Sequence, residues 1–99
     1  MQAKIKYHFT AKLYRDSSEN GWYFVSLPKQ DSIEIRTHLQ FQEEGWGRMK
    51  ATAIIQNLEG NTAIWFDTKS KHNVLPIKSA IRKKLALHED DELNVTVLV

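Results

Sequence analysis

"VLPIKSAIRKKL", Val74 to Leu85, changes character halfway: a short apolar run meets Pro76, then becomes a basic segment in which Ile77, Ile81 and Leu85 recur every four residues. That spacing places three apolar side chains on one helix face. Proline lacks the N–H a sheet ladder needs but suits a first helical turn, so the phrase reads as strand, proline, short helix. Nearly the same phrase occurs earlier as "SLPKQDSIEIRTHL", Ser26 to Leu39, where Asp31 or Ser32 is placed to cap a helix that carries Ile35 and Leu39 and runs to about Gln40. Leu27-Pro28 and Leu75-Pro76 lie 48 residues apart in a chain of 99. Two similar halves follow from that spacing, although the interval from proline to Ile-Arg differs by two residues between them, so the repeat is not strict.

The flanking segments supply the strands. From Ala3 to Leu13 every odd position is apolar or aromatic while lysines, His8 and Thr10 fill the even ones, the pattern of a strand with one dry face and one wet face. At roughly 3.3 Å per residue it is longer than most strands, so a bend or a change of partner is expected midway. "RDSSENG", Arg15 to Gly21, is a turn with Asn20-Gly21 suited to positive φ. "WYFVSL", Trp22 to Leu27, lacks alternation and reads as a strand covered on both faces. A third strand is expected over Arg48 to Gln56, a hairpin loop at Asn57 to Asn61 and a fourth strand over Thr62 to Thr68. Lys69 to Asn73 reads as a polar loop and Val74-Leu75 as a short strand. After the second helix, His88 to Glu92 form a turn and Leu93 to Val99 a last strand. The fold expected is mainly β with two short helices, an internal pseudo-repeat of about six strands forming one barrel-like core capped by the helices.

Composition bounds the classes. One domain over 1–99 is long enough for one real core. With no cysteine, disulfides, thiolate chemistry and cysteine-ligated zinc are excluded. No stretch approaches the roughly 18 apolar residues of a membrane span, and the N-terminus lacks the apolar core of a signal peptide, so a cytoplasmic protein is expected. Fourteen Lys and Arg against 12 Asp and Glu leave a net charge of +2, too small to name an anionic partner by balance alone.

"VLPIKSAIRKKLALHEDDELNVTV" resembles the half-barrel of AbrB and MazE type DNA-binding proteins, in which two chains interlock into one barrel. The blocks "FTAKLYR" (Phe9 to Arg15), "GWYFVSLP" (Gly21 to Pro28), "EIR" (Glu34 to Arg36), "GWGR" (Gly45 to Arg48) and "LPIKSAIRK" (Leu75 to Lys83), in that order, are closer to a bacterial domain-of-unknown-function family assigned to the same double-split β-barrel. Some members are joined to a domain resembling the YdeI/OmpD-associated group, which this sequence lacks. The resemblance implies a double-split β-barrel and no particular activity. Asp67 stands where that family often has proline, which bears on the conformation of that loop.

Candidate chemistry is sparse. His8, His38, His72 and His88 show no paired spacing for a metal, and no cofactor motif is present. Asp67, Ser70 and His72 contain the letters of a hydrolase triad but fall on a polar loop with no rigid nucleophile or oxyanion hole. Glu89 to Glu92 lack the ligand spacing of a calcium loop and read as a solvated turn. Trp22 and Trp65, inside apolar strands, are expected in the core, whereas Trp46, between Gly45 and Gly47, is the candidate exposed aromatic. Lys69, Lys71, Lys78, Arg82 and Lys83 form the candidate nucleic-acid or anion contact, with Lys4, Lys6 and Lys12 on the wet face of the first strand. No catalytic residue is assigned. The expectation is a non-enzymatic binding module of protein-interaction type, its partner a macromolecule; the alternative is an AbrB-like, weak and salt-dependent DNA-binding or regulatory protein.

Overall fold

Alternation along the first strand decides which way the chain starts. In the computed structural model, which describes residues 4–17 and 21–99 and only the backbone of Trp46, strand β1 (Lys6–Lys12) buries Tyr7 and Phe9 and exposes Lys6, His8, Thr10 and Lys12. It pairs antiparallel with β7 (Glu92–Leu98) from Lys6↔Leu98 to Lys12↔Glu92. At Leu13 the partner changes. Tyr14–Arg15, β2, pairs instead with β3 (Tyr23–Ser26). The backbone of Leu13 is held at the break by the acidic turn: its N–H donates to the Asp91 carbonyl at 2.9 Å and its carbonyl accepts from the Asp90 N–H at 2.7 Å. The backbone of Asp90 and Asp91 therefore pins the place where the strand switches, while the side chains of Glu89, Asp90 and Glu92 stay exposed, as expected of a solvated turn.

The seven strands form one antiparallel sheet in the order β1-β7-β4-β5-β6-β3-β2, with β4 at Arg48–Ile55, β5 at Leu58–Asp67 and β6 at His72–Pro76. Its first and last members are consecutive in the chain, so the sheet curls until its ends meet at the fully buried Leu13. Seven strands appear where about six were expected because the first is split there. The β4–β5 turn is tighter than "NLEGN" implied: Ile55 pairs with Leu58 and the two residues between, Gln56 and Asn57, have φ of 49° and 79°. Two positive φ angles match the twist of a hairpin, so β5 starts four residues earlier than expected. Pairing with Asp67 likewise carries β6 back to His72.

The two Leu-Pro phrases lie side by side. β3 and β6 pair with Val25↔Leu75 and Ser26↔Val74, and Leu27 N–H extends the ladder by donating to the Asn73 carbonyl at 2.9 Å. A shift of 48 residues carries Val25–Leu75 onto Asn73–Leu27, so the register itself has the symmetry of the repeat. With β1 and β2 counted as one strand that joins the two ends of the order, exchanging it with β5, β3 with β6 and β4 with β7 keeps every strand beside the same neighbours.

The helices differ. α1 (Lys29–Leu39) buries Ser32, Ile35 and Leu39, while α2 (Ser79–Lys84) has no fully buried residue and keeps Ile81 half-buried, with Leu85 just beyond it in the same state. α2 is short because Ile77 belongs to the end of the strand, where its N–H donates to the Tyr23 carbonyl at 2.8 Å, and Lys78 is still extended. The two apolar stripes are therefore buried unequally, and the near-repeat does not extend to how its helices pack. Neither Asp31 nor Ser32 caps α1, which starts directly after Pro28. Ser32 is buried inside it, and its Oγ accepts the Asn73 N–H at 2.9 Å.

"WYFVSL" also needs correction. Val25 and Leu27 point into the core and Tyr23 is half-buried against it, whereas Trp22 precedes β3 and is 51% exposed, and Phe24 and Ser26 are only partly covered. The segment alternates after all. Two of its outward residues are aromatic, and apolarity alone cannot show which face they occupy. Among the described residues no helix is long and apolar enough to cross a membrane.

Candidate anion-binding cleft

Even-numbered positions of β4 face away from the core, so alternation aims Arg48 and Lys50 outward beside Trp65 and Ala63 of β5, their Cα partners. Over this surface lies the strand-to-helix link of the second half, which brings in Lys78 and Arg82. Lys4 reaches the same place, its Nζ donating to Thr52 Oγ1 at 3.2 Å. Together they border a cleft of about 1160 Å³ whose walls include Trp22, Tyr23 and Trp65 and whose lining, among the described residues, contains no Asp or Glu. Gly21 makes the entry of Trp22 possible: its φ is 62°, and the Arg15 guanidinium lies 2.8 Å from where a Cβ would stand. Asn20, its expected turn partner, lies outside the described residues.

The cations are not equivalent. Arg48 forms an ion pair with Glu44, which also lies 3.9 Å from Lys50, and its guanidinium sits 5.6 Å from the Trp65 ring centroid. Arg82 is fixed without an acid: its Nε–H donates to the Ile77 carbonyl at 3.2 Å and the guanidinium lies over the Tyr23 ring at 3.9 Å from the centroid. That leaves its terminal N–H groups available as a fork for an anion. Neither Lys78 nor Arg82 has a carboxylate within ion-pair distance among the described residues.

Of the sequence-predicted contacts, Lys78 and Arg82 line this cleft. Lys69 lines a smaller one of about 680 Å³ beside it, with Tyr14, Phe24, Asp16 and Asp67. Lys71 is exposed in the β5–β6 turn, and Lys83 is exposed on α2 and borders neither cleft, so the five do not form one patch. Lys6 and Lys12 of the first strand also stay outside both clefts. The side chain of Trp46 lies outside the described residues. Trp22 and Trp65, assigned to the core from sequence, line both clefts instead. Arg48 and Lys50 were missed; the signal was their position on the wet phase of an alternating strand.

The triad letters are parted. Ser70 Oγ donates to Asp67 Oδ2 at 2.7 Å, closing the turn, while His72 Nδ1 is 2.7 Å from the Leu27 carbonyl oxygen. The Ser70 hydroxyl holds the Asp67 carboxyl below the usual carboxylate range despite some burial, with help from the N–H groups of Lys69 and Ser70 and from the Lys69 charge. Elsewhere Tyr7, whose hydroxyl donates to Glu34 Oε1 at 3.2 Å, is pushed up to about 12, by burial first and by the Glu34 charge second. Burial, then the Glu34 charge, also raises the Asp31 carboxyl. Among the described residues no three His, Asp or Glu side chains converge as a metal site.

No curated protein matches the sequence. The profile of a domain of unknown function, DUF1905, matches residues 9–97, almost the whole curled sheet and both helices, and the chain therefore belongs to the DUF1905 family.

Proposed function

We propose that this protein is a non-catalytic, cytoplasmic binding module, built as a double-split β-barrel related to the AbrB type, and that its larger cleft takes an anionic ligand. The observation that carries the reading is the ring of Lys4, Arg48, Lys50, Lys78 and Arg82 around a cleft with no acidic side chain among the described lining residues. Clefts lined by one sign of charge concentrate counter-charged partners. Arg48 and Lys50 share Glu44, so Lys4, Lys78 and Arg82 carry most of the attraction.

Binding of inorganic polyphosphate, measured at two salt concentrations, tests this. Affinity should fall steeply with salt and be roughly micromolar or weaker at physiological salt. The double variant Lys78→Glu, Arg82→Glu should lose about tenfold or more, whereas Lys71→Glu, Lys83→Glu, with the same change of net charge outside the cleft, should lose far less. Equal losses would leave only diffuse surface charge and sink the reading. A second reading, a protein-interaction surface, has its own support: Phe41 is 81% exposed and Ile33 half-exposed on the segment of α1 and the turn after it. Isolated exposed apolar residues are common, which places this second.

A further inference from the structure

Resting on the anionic-ligand reading, we propose that the ligand is a single-stranded nucleic acid, with phosphates over the cationic cleft and bases stacked on the aromatic row beside it, in which Trp22 is exposed and Tyr14 and Phe24 are half-buried. Trp22 is the starting point. Tryptophan is highly buried on average, yet this indole is half-exposed and stands between the two clefts, bordering both together with Trp65. Its ring is stacked with that of Phe24, centroids 6.2 Å apart and planes at 20°, and Phe24 lies 6.0 Å from Tyr14. Tyr14 and Phe24 are Cα partners on β2 and β3, and the Trp22 carbonyl accepts the Asp16 N–H at 2.7 Å just beyond that pairing, so backbone bonds hold all three members of the row. Bases stack on such rings whatever their identity, because every base has a π face.

The two clefts differ in sign, and that difference orients a strand. Among the described residues the larger presents cationic and no acidic side chains; the smaller presents Asp16 and Asp67 with Lys69 next to the rings. Phosphates are drawn to the first and repelled by the carboxylates of the second. Carboxylates accept hydrogen bonds from exocyclic amino groups of bases, as they do from cytosine. A strand lying across Trp22 thus keeps its backbone on the Arg82 side and its bases on the Tyr14 side. A duplex conceals its base faces, so the aromatic row gains nothing from it and the surface discriminates in favour of single strands.

Anisotropy of labelled deoxycytidine and cytidine oligonucleotides of about 12 nucleotides, a length within single-domain site sizes, tests this on the full chain, with a matched duplex and inorganic polyphosphate as comparators. At least one oligonucleotide should bind about tenfold more tightly than either comparator, and which one binds identifies DNA or RNA as the source. Trp22→Ala should weaken binding roughly five- to a hundredfold, the loss of one stacked base, with an unchanged unfolding midpoint, while Trp22→Phe should retain most of it. Duplex or polyphosphate binding as tight as the single strand, or no effect of Trp22→Ala, overturns the proposal and leaves the anionic cleft standing. No binding of any polyanion at low salt overturns both.

Discussion

The two Ile-Arg dipeptides show how one local phrase serves two ends. Ile35 is fully buried, and Arg36 lies 4.4 Å from the Phe66 ring centroid while pairing with Glu43 at 2.8 Å. Ile81 is half-buried, and Arg82 stacks on Tyr23 with no ion-pair acid among the described residues. In both halves the isoleucine packs inward and the arginine covers a ring. Only in the second does the guanidinium keep its charge uncompensated at the edge of a cleft. The longer α1 closes the core; the shorter α2 leaves cations facing outward.

The sharpest way to break this comparison is to truncate the isoleucines. Ile35→Ala should cost about 2–5 kcal/mol, because a fully buried site leaves a cavity, and Ile81→Ala roughly half as much or less. Chemical denaturation reads both; equal losses would mean that the helices seal the core alike. Next comes the bond that ties α1 across the repeat axis. Ser32→Ala orphans the buried Asn73 N–H and should cost about 1–3 kcal/mol, whereas Ser79→Ala on the exposed start of α2 should be close to neutral; a neutral Ser32→Ala would remove the anchor that distinguishes α1.

The smallest effect concerns Tyr7, which holds α1 to β1. Tyr7→Phe should cost about 0.5–1.5 kcal/mol near neutral pH. Because its hydroxyl rises from an ordinary 10.0 to about 12 in the fold, the native state resists ionisation that the unfolded chain accepts. Stability tied to the neutral phenol is thus complete below pH 10 and lost as pH rises toward 12. Tyr7→Phe should flatten that part of the denaturation profile, and an unchanged alkaline slope would remove Tyr7 as its source.

Period-two alternation made β1 and β7 readable, and four-residue spacing announced both helices, the first directly after Pro28 and the second only at Ser79, because Pro76 still pairs in β6. Register between β3 and β6 was visible only as the distance between two Leu-Pro pairs. Boundaries were less legible: the Gln56-Asn57 turn was hidden because it uses residues without glycine at positive φ, an arrangement that strand pairing imposes. Of the candidate site, Lys78 and Arg82 were found because the cation run was local, while Arg48 and Lys50 lay in a strand read only for its apolar face.

By itself the sequence determined the dry and wet faces of β1 and β7, the presence of two helices with the first entered through proline, the near-repeat and the absence of thiol chemistry, since each depends on neighbours a few residues apart or on composition. Tertiary structure alone decided that the first strand changes partners at Leu13, that Trp22 stands outside the core, and which cations share a cleft. Those outcomes depend on contacts between segments tens of residues apart. Aromatic side chains obey the same local pattern whether they pack inward or wait on the surface, and only the pairing of β2 with β3 and of β3 with β6 turns one face of that pattern toward solvent.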